Sequence, residues 1–455
     1  MQRSALIDCI GNTPIVKLRS FNTGSCDLFI KLESQNPGGS IKDRIALTMI
    51  EDAERRGVLK PGGTIVEATA GNTGLGLALV AAIKGYKLIL VIPDKMSREK
   101  IFHLKAMGAE IITTRSDVMK GHAQYYQDLA EKIAADTDGA FYVNQFANPA
   151  NPLAHKTSTA PEIWQQTNHK VNAIVCGVGS AGTISGISQY FAETAPDVEM
   201  ILADPVGSIL THYVETGEVL KESGSWLIEG IGEDFIPPIA DFSRVKKAYS
   251  ITDQESFLTA RELLKKEGIL AGSSTGTLIA AALKYCREQN EHKTVVTFVC
   301  DSGNKYLSKM FNDYWMIDQG FIERQEYGDL RDIIGRLHIE GSTITVTPDD
   351  SLNTAYTRMK LYDISQIPVV VGRKILGIID ETDVLMTISK DMKSSAITAK
   401  QIMTSKLETI SINADIKELF PIFDKGLVVI VEDKGEFQGI ITKTDLINYL
   451  RRKMQ

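Results

Sequence analysis

The sequence runs to 455 residues, 43% hydrophobic and 24% charged, a globular balance with length for roughly three domains of about 150 residues. A formal net charge of −7, with no stretch that concentrates Lys and Arg, excludes the basic footprint of a nucleic-acid binder. Five widely spaced cysteines (Cys9, Cys26, Cys176, Cys286, Cys300) without a C-x-x-C pair, and seven histidines without an H-x-x-x-H pair, exclude a disulfide framework and point away from any metal site.

In chain order, the first six residues carry no apolar signal-peptide core. The first loop of interest is Pro37-Gly38-Gly39-Ser40-Ile41-Lys42-Asp43-Arg44. Its glycines let the backbone approach a neighbour closely. Lys42 stands where an apolar helical pattern begins (Ile45, Ala46, Met49, Ile50). An ordinary lysine is a poor nucleophile until its surroundings favour the free amine, and a helix N-terminus disfavours the ammonium. Taken alone, the loop reads more readily as a surface lysine beside a turn.

Residues 64–68 predict a strand and 74–82 a helix. Between them lies Thr69-Ala70-Gly71-Asn72-Thr73-Gly74, whose amides and hydroxyls suit a carboxylate at a helix N-terminus. The most apolar stretch, 75–92, is cut by Lys84, Gly85 and Lys87, so it reads as a helix and a buried strand and not as a membrane span. A strand at 87–93, a helix at 97–107 and a strand at 110–112 follow, with further strands at 173–176 and 200–203. After the first of these comes Gly177-Val178-Gly179-Ser180-Ala181-Gly182-Thr183. Converging amides on such a turn cradle a phosphate, although the string also matches the dinucleotide fingerprint. Continuous apolar strands alternating with helices predict an α/β fold with mostly parallel sheets. Ligands in such folds sit beyond the strand C-termini.

The character changes after residue 317. Residues 318–335 are charged and read as a linker. Beyond it, Val346-Thr347-Pro348-Asp349-Asp350-Ser351-Leu352 resembles Ile410-Ser411-Ile412-Asn413-Ala414-Asp415-Ile416, and 377–384 resembles 439–446. A period near 60 residues predicts a tandem repeat, expected at 336–395 and 396–455. These segments resemble paired α+β CBS-type repeats, a Bateman module.

Lys42, the Asn72 loop and the glycine loop together are what a pyridoxal-phosphate site requires. The first 320 residues resemble the two-lobed fold-type II pyridoxal-phosphate enzymes of the cysteine synthase/cystathionine β-synthase family. The strings that carry the resemblance are Gly11-Asn12-Thr13-Pro14, Gly39-Ser40-Ile41-Lys42-Asp43-Arg44, Asn144-Gln145-Phe146 and Asn151-Pro152-Leu153-Ala154-His155. Three more favour the cystathionine β-synthase branch: Asp204-Pro205-Val206-Gly207-Ser208-Ile209-Leu210, 229–237, and Asp301-Ser302-Gly303-Asn304-Lys305-Tyr306. The resemblance implies a core over 1–317, its smaller lobe at about 42–147.

What it implies for single residues is as follows. Lys42 carries the cofactor and is catalytic; Asn72 bonds the ring oxygen; Gly179, Ser180, Ala181, Gly182 and Thr183 hold the phosphate. Ser274, a neutral hydroxyl, faces the ring nitrogen, which suits β-elimination over transamination. Thr69, Ala70, Gly71, Asn72 and Thr73, with Gln145, clamp the substrate carboxylate. Gly230 and Glu233 lie toward the second substrate, and Glu233, a tyrosine in animal members, suits the amino group of homocysteine. The reaction implied joins L-serine and L-homocysteine through an aminoacrylate to give L-cystathionine and water, with hydrogen sulfide from side reactions.

Two positions depart from the family pattern. Ala70 replaces a serine, and Ala181 replaces a phosphate-loop glycine, which is unstrained only if its φ is negative. No haem is expected, since Cys9 has no nearby histidine. In the module, Thr442 and Asp445 are spaced as ribose contacts of an adenosyl ligand; the first repeat keeps Asp383 but has Asp380 at the threonine position. A cytoplasmic homodimer or larger homo-oligomer, free of nucleic acid and membrane, completes the expectation. The rival readings are a cysteine synthase using O-acetylserine and sulfide, an adenosyl-sensing protein with a non-catalytic core, and a nicotinamide dehydrogenase resting on the glycine fingerprint alone.

Overall fold

The computed structural model describes residues 5–69, 71–94, 98–118, 121–390 and 397–454. Contacts divide the chain into two compact units, Met1–Phe311 and Asn312–Gln455. Among the described residues no helix is long and apolar enough to cross a membrane.

The N-terminal unit holds two sheets. The larger consists of β1 (Ile15–Lys17), β2 (Asp27–Lys31), β7 (Ala173–Gly177), β8 (Glu199–Pro205), β9 (Val245–Ile251) and β10 (Thr294–Phe298), in the order β1-β2-β10-β7-β8-β9. All its pairings are parallel except β1 with β2. The smaller, inserted between β2 and β7 in sequence, is fully parallel: β3 (Thr64–Glu67), β4 (Lys87–Pro93), β5 (Glu110–Thr114) and β6 (Ala140–Tyr142), ordered β5-β4-β3-β6. Ile65, Val66, Leu90, Val91 and Ile92 are wholly buried, as continuous apolar strands of a doubly covered sheet must be.

Helix α1 (Lys42–Arg55) and helix α2 (Asn72–Lys84) cross where a Cβ on Gly76 would stand 3.0 Å from the carbonyl oxygen of Lys42. A side chain there would press on the start of α1, so Gly76 lets α2 pack closely against it. Beneath α1 lies a buried ion cluster. Arg44 pairs with Glu33 and Glu162 at 2.7 Å each, and Lys31 with Glu162 at 2.8 Å.

In the C-terminal unit each repeat is a small sheet with flanking helices. β11 (Gln366–Val371) and β12 (Lys374–Asp380) form the first; β13 (Thr409–Ser411), β14 (Val429–Asp433) and β15 (Glu436–Ile441) form the second. Both hairpins carry a register shift at the corresponding step, Val369/Val370 and Val431/Glu432. The repetition read in the sequence thus extends to a backbone irregularity. Within the stretch read as a linker, Leu330, Ile333 and Ile334 are buried in the core of the second repeat with Ile412, Val429 and Ile441.

Candidate active site

The glycine-rich turns fall where parallel strands end and helices begin. β3 runs through Thr69 into Asn72, the first residue of α2; β7 runs through 178–181 into helix α3 (Gly182–Thr194). Lys42 opens α1, and Ser274 lies in the first turn of helix α4 (Ser273–Arg287). One cavity is lined by Lys42, Asn72, Gly179, Ala181, Gly182, Thr183, Gly230 and Ser274. The structure thus gathers residues spread over more than half of the chain into one place.

Lys42 is half-buried. Desolvation pushes its amine below the ordinary lysine range, against the opposing pull of Cys300, Glu233 and Asp301. The amine is therefore far better placed to lose its proton than a surface lysine. Glu233 moves the other way: burial raises its carboxyl well above the usual range, reinforced by Asp234 and opposed by Lys42. Its backbone is fixed, N–H donating to Ser208 Oγ at 3.1 Å and carbonyl accepting from Ile209 N–H at 3.1 Å.

The glycine loop is braced from behind. Asn151 Nδ2 donates to Ser180 Oγ at 2.9 Å and to the Gln145 carbonyl at 2.8 Å. His155 contacts Thr183 Oγ1 through Nε2 at 3.2 Å and Thr159 Oγ1 through Nδ1 at 2.9 Å. Burial, with Lys42 and Arg44 nearby, holds its imidazole neutral by lowering its pKa. A Cβ on Gly179 would stand 2.6 Å from the Gly230 carbonyl oxygen, so the 229–233 segment closes over the loop only because residue 179 is glycine.

Ala181 has φ +68°. The condition under which an alanine is unstrained there is not met, because the chain must turn through the left-handed region to start α3. That conformation costs an L-residue roughly 1–2 kcal/mol.

The residues assigned to the carboxylate clamp divide. Asn72 lines the cavity, while Thr69, Gly71, Thr73 and Gln145 are not among its lining residues. They are tied to one another instead: Thr73 Oγ1 donates to Gln145 Oε1 at 2.7 Å, and Gly71 N–H to Thr69 Oγ1 at 3.2 Å. Ala70 lies outside the described residues. Three groups near the cavity were not singled out in the sequence. Cys300 lines it, its thiol pushed up to about 12 by burial, and Asp301 and Lys305 hold Asn72. The only sequence signal for Asp301 and Lys305 was membership of the 301–306 string, and Cys300 stands just before it.

In the C-terminal unit, Thr442 and Asp445 line a cavity of about 730 Å3. Thr442 donates to Asp445 Oδ2 through N–H at 2.7 Å and Oγ1 at 2.6 Å, and Asp445 N–H returns to Thr442 Oγ1 at 3.2 Å. Asp383 makes the matching exchange with Asp380 but does not line that cavity.

A family described as pyridoxal-phosphate dependent enzyme matches residues 6–301, and the CBS domain family matches 331–390 and 399–452. Cystathionine beta-synthase of Dictyostelium discoideum is 36% identical over 99% of this chain and 93% of its own length. Cysteine synthase A of Escherichia coli K12 is 42% identical over 66% of this chain and 92% of its own. Among solved structures, a hydrogen sulfide-producing enzyme of Fusobacterium nucleatum is similar with a TM-score of 0.62 at 38% identity. That likeness covers 67% of this chain and 100% of that one.

Proposed function

The chain belongs to the cystathionine β-synthase family of pyridoxal-phosphate-dependent enzymes, and on that premise we propose that it replaces the hydroxyl of L-serine with the thiol of L-homocysteine, giving L-cystathionine and water. That it is a pyridoxal-phosphate-dependent lyase of the β-replacement class follows from the family; the substrates and residue roles are the proposal. The observation that carries it is the environment of Lys42, a desolvated amine on the same cavity as the glycine loop and Ser274.

The residues fit the cofactor. The closed approach at Gly179 and the left-handed Ala181 leave the 179–183 amides at the N-terminus of α3, the geometry that binds a phosphate. Asn72 would hold the ring oxygen, Ser274 the ring nitrogen and Lys42 the carbonyl carbon. Pyridoxal phosphate, when bound, supplies an electron sink for charge at the substrate Cα. Lys42, its amine depressed by burial, takes the Cα proton and delivers a proton to the departing hydroxyl. General acid–base help of this kind is worth about 10²- to 10⁴-fold. Ser274 offers a neutral hydroxyl, and the substrate carboxylate is assigned to the backbone amides at the N-terminus of α2, where Thr73 is braced by Gln145. Glu233, beside Lys42, receives the amino group of homocysteine; an unchanged KM for homocysteine in Glu233→Gln ends that assignment.

A second reading, cysteine synthesis from O-acetylserine and sulfide, is supported by the likeness to cysteine synthase A. The deciding experiment compares kcat/KM for serine plus homocysteine with that for O-acetylserine plus sulfide on one purified sample. Higher efficiency for the first pair supports the proposal, and turnover of the second pair alone overturns it. Hydrogen sulfide release from cysteine is proposed as a side reaction, supported by the hydrogen sulfide-producing relative. For the module, we propose an adenosyl ligand at Thr442 and Asp445. Calorimetric titration with S-adenosylmethionine, adenosine and its phosphates tests it, and absence of heat from all of them rules it out.

A further inference from the structure

We propose that Asp301 and Lys305 are positioning residues that decide which end of the Asn72 carboxamide faces the cavity. The inference rests on the reading of Asn72 as the partner of the cofactor's ring oxygen. Asn72 Nδ2 donates to Asp301 Oδ2 at 2.9 Å. Lys305 Nζ donates to Asn72 Oδ1 at 2.5 Å. The Tyr306 hydroxyl donates to the same Asp301 oxygen at 2.9 Å.

A carboxamide is nearly symmetric in shape, so half a turn about its last torsion costs little sterically. Here that turn sets Oδ1 against the Asp301 carboxylate and the amide N–H groups against the Lys305 ammonium. Both contacts are repulsive, so two charges of opposite sign fix one orientation. In it, the carbonyl is taken by Lys305 and one N–H by Asp301. The second Nδ2–H remains for the cavity that Asn72 lines. A cation on the carbonyl end polarises the amide and strengthens that N–H as a donor. An anionic ring oxygen accepts such a donor and is stabilised by it, relative to its protonated form. Asp301 and Lys305 act through Asn72 and are not among the residues that line the cavity.

The test uses the full chain, with pyridoxal phosphate removed and restored. The dissociation constant and absorption spectrum are recorded for wild type, Lys305→Met, Lys305→Arg, Tyr306→Phe and Asn72→Ala. Lys305→Met is expected to bind pyridoxal phosphate about tenfold more weakly, the size of one lost charged hydrogen bond. Intensity should also pass from the yellow band of the ionised ring oxygen to the near-ultraviolet band of the protonated one. Lys305→Arg keeps the cation and is expected to keep the yellow band, a rescue that a purely structural role would not single out. Tyr306→Phe, which loosens Asp301, should shift the spectrum the same way by less, and it carries the test if Lys305→Met does not fold. Wild-type affinity and spectrum in Lys305→Met, alongside a changed Asn72→Ala, overturn the inference and leave the Asn72 reading standing. An unchanged Asn72→Ala overturns both.

Discussion

Both units place a polar residue at the head of a helix beside a cavity, but they secure it by opposite means. In the C-terminal unit Thr442 is held by Asp445, three positions along, and Asp380 and Asp383 repeat the device in the other half. In the N-terminal unit Asn72 is held by Asp301 and Lys305, more than two hundred positions away, and Thr73 by Gln145. A local cap forms whenever its helix forms and can be copied with the repeat. A remotely held side chain exists only when the whole unit has closed around it. The module's site should therefore tolerate damage elsewhere, whereas the core's site should fail together with its framework.

The comparison is broken most forcefully at Lys42. Lys42→Ala is expected to lower turnover by at least the roughly 10²- to 10⁴-fold of lost proton transfer, with an unaltered circular dichroism spectrum and unaltered module binding. Normal turnover would remove Lys42 from the mechanism. The borohydride-bleached yellow colour expected of the wild type should be absent from the variant.

Next in size is Arg44, the remote tie beneath the site. Its removal strands Glu33, wholly buried, and such an orphaned charge costs about 3–5 kcal/mol. Urea denaturation of Arg44→Met should show that loss. The same cluster gives a pH signature. Burial alone would raise Glu162, but Arg44 and Lys31 draw it down to about 2. A carboxyl held below its unfolded value stabilises the fold above the unfolded pKa, and that stability is lost as pH falls through the folded one. The gap between wild type and Arg44→Met should therefore be full near neutrality and narrow toward pH 2. A pH-independent gap would mean that packing, not charge, supplies it.

The same division explains what could be read from the sequence. Strands β3, β4 and β5 and the helices between them follow from apolar runs and their periods, and the repeat follows from self-similarity. Lys42, Asn72 and Ser274 were legible because each sits in the first turn of a helix within a recognisable string. The cavity wall at Cys300, the hold of Asp301 and Lys305 on Asn72, and the brace from His155 to Thr183 were not, because nothing local links residues so far apart. The burial of Leu330 and Ile334 was hidden too, since their charged neighbours mask the apolar period. The sign of φ at Ala181 depends on where α3 must start, which the closed fold sets.

A smaller effect probes the local cap. Thr442→Ala removes the hydroxyl exchange with Asp445 while leaving the backbone N–H bond. A cap of this kind is worth about 1 kcal/mol. Scanning calorimetry should place that loss in the C-terminal unit, with kcat/KM of the core unchanged and adenosyl binding weakened. Lost core activity would show that the two units are coupled more tightly than a local cap implies.

The smallest effect is expected at Ala181, where three terms nearly cancel. A left-handed φ costs the alanine roughly 1–2 kcal/mol. Glycine relieves that strain but loses roughly 0.5–1 kcal/mol more to chain entropy on folding. The alanine methyl is buried, at 3% exposure, and is worth about 0.8 kcal/mol there. Ala181→Gly should therefore fall within about 0.5 kcal/mol of wild type in urea denaturation. A clear gain would mean that strain dominates and is kept for the loop's geometry. A clear loss would mean that the methyl's packing outweighs the strain, making this turn another site held from a distance.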